Sequence, residues 1–86
     1  MPRKSLADLA QQDFWTLPEF ARLKCGRGPK WVYRRFTPDA TGKRGVIRLV
    51  GLEVPVGKDH NGFWLVSKHQ YEAAVRRAEQ AVKEAG

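Results

Sequence analysis

Arg27, Lys30, Trp31, Tyr33, Arg34 and Arg35 fall within nine consecutive positions, and their chemistry is recognition of an anion rather than bond-making. A guanidinium offers paired N–H donors to a phosphate or to the O6 and N7 of guanine, an ammonium adds a point charge, and an indole stacks on a sugar or meets a thymine methyl. Arg34 is the strongest guanine reader of the set. Lys43, Arg44 and Arg48 follow and extend the same chemistry to phosphates. Lys58, His60 and Asn61 lie in a turn-rich stretch further on.

Catalytic and metal chemistry find no comparable arrangement. The acids are scattered without a pair that reads as general acid and base, and no His, Cys, Asp or Glu pair sits at metal-ligand spacing. Cys25 is the single cysteine; it has no His nearby in sequence and reads as a small turn residue. The expectation is a protein that is not an enzyme and has no cofactor or metal. A lone cysteine suits a reducing compartment, and no apolar run has signal or transmembrane length, so a cytoplasmic protein without a membrane partner is expected.

The charge is concentrated. The net charge of +7 comes almost wholly from residues 25–48, which hold seven Lys/Arg against Asp39 alone, whereas residues 1–24 and 67–86 each carry four bases against three acids. Clustered positive charge favours a polyanion through counterion release. The 86 residues form one expected domain, with three Trp, four Phe and two Tyr to build its core.

The elements that must hold these residues are read from caps and periodicity. Residues 1–4 read as a flexible basic arm. Ser5 with Asp8 starts a short helix over 6–12. Thr16-Leu17-Pro18-Glu19 is a capping box, with Trp15 and Phe20 as the hydrophobic staple around it, and predicts a helix from 17 to about 24. Cys25-Gly26-Arg27-Gly28 breaks that helix. Gly28 as N-cap and Pro29 at the first helical position begin the next one, which runs to Phe36 with Val32 and Phe36 on its buried side. Lys30, Trp31 and Arg34 then face outward. Residues 37–45 read as a mobile loop. The β-branched run 46–50 is a further strand candidate, and the Asn61-Gly62 turn predicts a β-hairpin of 52–57 with 62–66, which Pro55 restricts to an edge or a bulge. Ser67 and Gln70 open a last helix from 68 to about 84, with Val66 and Tyr71 as a second staple; its stripe is mostly alanine beyond residue 76, so that half projects or meets another chain.

In this order the chain resembles the MerR-like, excisionase-type winged helix-turn-helix proteins, an α+β class with short N-terminal helices, a β-hairpin wing and a longer C-terminal helix. The likeness rests on Thr16-Leu17-Pro18-Glu19-Phe20-Ala21, on Trp31-Val32-Tyr33-Arg34-Arg35-Phe36 and on Gly62-Phe63-Trp64-Leu65-Val66-Ser67-Lys68. The resemblance implies a recombination directionality factor that binds repeated sites in double-stranded DNA side by side, bends them and helps an integrase excise a mobile element or prophage. Lys30, Trp31 and Arg34 would face base edges, Arg27 and Arg35 would hold phosphates, and Lys58, His60 and Asn61 would enter the neighbouring minor groove. Rival expectations are a small phage or plasmid transcriptional regulator of the same fold, and a basic RNA-binding or protein-adaptor module.

Overall fold

The computed structural model describes residues 4–85, so the expected N-terminal arm, apart from Lys4, lies outside the described residues. Helix α1 (Leu6–Ala10) starts as anticipated: Ser5 Oγ accepts from the Asp8 N–H at 3.1 Å and the Asp8 carboxylate accepts from the Ser5 N–H at 3.4 Å. It stops two residues before the expected end. The Trp15 indole N–H donates to the Leu9 carbonyl at 2.6 Å and ties α1 to a strand, β1 (Phe14–Thr16).

Helix α2 (Leu17–Phe20) begins on the full capping box, with the Thr16 N–H on Glu19 Oε1 at 3.0 Å and the Glu19 N–H on Thr16 Oγ1 at 3.3 Å. It continues into a π-helical turn, Ala21–Cys25, and ends at Gly26, whose φ of 62° is left-handed. The Ala21 carbonyl accepts both the Gly26 N–H and, at 3.1 Å, the Arg27 N–H. The wide turn and the left-handed glycine together redirect the chain into α3 (Pro29–Tyr33), capped by Gly28 with Pro29 at its first turn.

Here the structure departs from expectation. Helix α3 ends at Tyr33 rather than Phe36, and Phe36 opens a strand, β2 (Phe36–Pro38). Pro38 disfavours a helical Thr37 before it, and the extended chain gains a partner when the Arg48 N–H donates to the Arg35 carbonyl at 2.9 Å. The segment read as a loop from 37 to 45 is correspondingly shorter: Thr37, Pro38, Arg44 and Gly45 belong to strands, and the Asp39 carboxylate accepts from Thr41 and Gly42 to close a tight turn between them.

Strands β3 (Arg44–Leu49), β4 (Leu52–Lys58) and β5 (Trp64–Ser67) complete a five-stranded antiparallel sheet in the order β1-β5-β4-β3-β2, and α4 (Lys68–Ala85) follows. The predicted hairpin exists, but only Gly57 and Lys58 of β4 pair with β5, while all six residues of β3 pair with β4. Pro55 therefore sits in an interior strand without breaking it. It faces Val46 across a pair that exchanges no hydrogen bonds, because the Lys58 N–H bonds to the Lys43 carbonyl and the pattern alternates from there. Its missing N–H points to the side that β5 leaves open, and α4 packs against the same strand.

One sheet face carries the core. Trp15 opposite Val66 and Ile47 opposite Val54 meet Leu17, Phe20 and Val32 from the helices. Tyr71 of α4 packs edge-on against Trp15 and Phe20, with ring centroids 6.1 and 5.5 Å away, so both staples end in one aromatic cluster. Residues 79–84 of the helix are exposed, Val82 included. The result is a small α+β domain: one antiparallel sheet, three short helical segments and a C-terminal helix. Among the described residues no helix is long and apolar enough to cross a membrane.

Candidate nucleic-acid interface

Helix α3 is only five residues long, and what holds it is Val32, fully buried in the core. Anchoring that one side leaves Arg27, Lys30, Tyr33 and Arg34 exposed. Lys30 and Arg34 are one turn apart, and the Arg34 N–H donates to the Lys30 carbonyl at 3.1 Å. Like charges at this spacing cost a few tenths of a kcal/mol on a helix, and among the described residues neither is in an ion pair that would offset it.

Trp31 and Arg35 occupy different positions from those anticipated. Both are half-buried. The Arg35 guanidinium lies 3.8 Å from the Trp31 ring centroid and donates to the Trp31 carbonyl at 3.1 Å, while the Arg27 guanidinium approaches the same ring at 5.7 Å. Trp31 is thus packed against the core edge under two arginines, and Arg35 is largely committed to holding it. Burial raises the Cys25 thiol above its usual range, with the charge of Arg35 offsetting part of the rise.

The other basic residues form a second group at the opposite end of β3. Lys43 and Lys58 are neighbours there through the bond from the Lys58 N–H to the Lys43 carbonyl at 2.9 Å, and Arg44 pairs with Gly57. His60 and Asn61 are exposed in the adjoining turn. The turn is held by the Asp59 carboxylate, which accepts from Asn61 at 2.9 Å and Phe63 at 2.8 Å, and by Gly62 at φ 85°. Lys58 Nζ lies 5.0 Å from the Trp64 ring centroid, and Trp64 stacks edge-on with Phe36 at 4.8 Å. Arg48 belongs instead with α3, beside Arg35. Arg44 and Arg48 are four strand positions apart, about 13 Å at ~3.3 Å per residue.

The structure therefore divides the sequence-predicted residues in two: Arg27, Lys30, Trp31, Tyr33, Arg34, Arg35 and Arg48 about α3, and Lys43, Arg44, Lys58, His60 and Asn61 at the far end of the sheet. Among the described residues the one ion pair is Lys4 to Glu19, at 3.5 Å. Arg27, Lys30, Arg34, Lys43, Arg44, Arg48 and Lys58 are all exposed. Two further bases were not among the candidate site residues, although Lys4 was read as part of the basic arm. Lys4 and Arg22 join Arg27 around a cleft of about 590 Å³; the signal for Arg22 was its place one turn after Pro18, in the π-helical turn that leads to Gly26.

Comparison with protein-family models, with curated proteins and with solved structures gives no match.

Proposed function

We propose that the chain is a sequence-selective double-stranded DNA-binding protein of the winged helix-turn-helix type, acting as an excisionase-like recombination directionality factor. The observation that carries this reading is the set of seven exposed bases about α3 and the sheet end, none of them in an ion pair with another described residue. Such a set repels itself in the free protein and is relieved by a polyanion. Lys30 and Arg34 share the exposed side of α3, and Arg44, at the sheet end that carries the turns 39–43 and 59–62, lies about 13 Å along β3 from Arg48. That separation is comparable with the ~12 Å width of a major groove. In this arrangement α3 reads base edges while Lys43, Lys58 and His60 meet the flanking backbone. Arg34 supplies the base contact and Arg27 a phosphate contact. Trp31 stiffens the support rather than entering the groove. Regulation of a promoter would use the same contacts.

Mobility-shift titrations of wild type, Arg34→Ala and Lys30→Ala against selected-site and random duplex test the reading. Arg34→Ala should lose about 1–3 kcal/mol of discrimination between the two probes, and Lys30→Ala should weaken the selected site. If both variants bind that site as wild type does, α3 is not the reading element. Better displacement by single-stranded than by duplex competitor would favour an RNA or single-strand partner. Affinity indifferent to salt would favour a protein adaptor.

A further inference from the structure

The cleft between α2 and the turn into α3 combines two kinds of surface. Leu9, Pro18 and Pro29 give it apolar walls, while Lys4, Arg22 and Arg27 bring positive charge to it. Glu19 is the one acid that lines it, and its carboxylate is already engaged by the Thr16 N–H and by Lys4. A guanidinium N–H of Arg22 donates to the Lys4 carbonyl, which fixes the head group; among the described residues its other donors have no side-chain hydrogen bond. Arg27 belongs to this cleft and also lies over Trp31. The cleft is therefore continuous with the exposed side of α3.

From this we infer that the cleft seats the sugar-phosphate backbone of the duplex strand flanking the α3 contact, with Arg22 and Arg27 on successive phosphates and Pro18 and Pro29 against deoxyribose. The inference rests on the duplex-binding reading above and extends it to residues outside the basic cluster. An apolar surface with a surplus of positive charge fits alternating sugar and phosphate better than it fits a purely apolar or a cationic partner. Because a backbone contact carries no sequence information, Arg22 contributes equally on every duplex.

The experiment is a salt titration of affinity for a fluorescently labelled random-sequence duplex, using the full chain as wild type, Arg22→Gln, Arg22→Lys and Arg34→Ala. Arg22→Gln should weaken binding several-fold and make the slope of log K against log salt shallower by about 0.9, the amount for one phosphate contact. Arg22→Lys should restore the slope. Arg22→Gln should weaken a selected-site duplex by the same factor, whereas Arg34→Ala should cost more on the selected site than on the random one. If Arg22→Gln matches wild type in slope while Arg34→Ala still loses selectivity, the cleft is idle and the duplex reading survives. If Arg22→Lys fails together with Arg22→Gln, the loss is structural and the inference is wrong. If wild type shows no salt-dependent duplex binding, the underlying reading falls and takes this one with it.

Discussion

Gly45 lacks a side chain because the Phe36 ring and the Thr37 carbonyl occupy the space where one would go: a Cβ there would lie 2.6 Å from the ring and 2.8 Å from the carbonyl oxygen. That ring in turn stacks on Trp64, so a methyl at residue 45 pushes on a packed aromatic pair and on backbone. Gly45→Ala should cost about 1–3 kcal/mol, read as a lower urea midpoint with the slope unchanged. The stacking of Arg35 on Trp31 is of the same kind. Neither was legible in the residues alone, since both depend on where the chain turns after α3. The exposure of Lys30 and Arg34 was legible, because helical spacing from Val32 places them off its buried side.

Among elements, the helix starts were the most readable, because a cap is a contact between residues three apart and needs no knowledge of the rest of the fold. Ser5 with Asp8 and Thr16 with Glu19 both form the reciprocal pairs their spacing implies. The box at Thr16 also joins β1 to α2, so its loss is felt by both. Thr16→Ala should lower stability by about 1 kcal/mol, or roughly 4–8 °C in melting temperature for a domain of this size, and Thr16→Ser should recover most of it. Strands β1 and β2 were not readable. Each is three residues long, too short for alternation to register, and each is extended only because β5 or β3 lies beside it. The hairpin turn was marked by Asn61-Gly62, but the dominance of β3 over β5 as the partner of β4 is a property of the assembled sheet. The same holds for Pro55, whose place in an interior strand depends on β5 pairing only with the end of β4.

For the molecule as a whole, acid is the informative perturbation. Burial alone would raise the Glu19 carboxyl, but the Thr16 N–H and the Lys4 ammonium outweigh it and hold it below the ordinary value of 4.5. Bonds from the Thr41 hydroxyl, and then from backbone N–H groups, hold Asp39 below 3.8. A depressed carboxyl stabilises the fold fully above its unfolded pKa and loses that contribution as pH falls through the folded one. Urea midpoints should therefore fall as pH drops below about 4.5, and Glu19→Gln should flatten part of the decline; an unchanged acid profile would mean the box is not ionically reinforced. Both margins of the sheet are also partly blocked. On β1 the Phe14 carbonyl accepts from the Gln12 amide and the Thr16 N–H is taken by Glu19, while β2 closes on Pro38, which has no N–H to give. On the proposed duplex reading, copies lined up on neighbouring stretches of one polymer would find less bare main chain in each other to zip onto. Crowding would then leave them separable, each free to depart alone, instead of fusing them into a fibre.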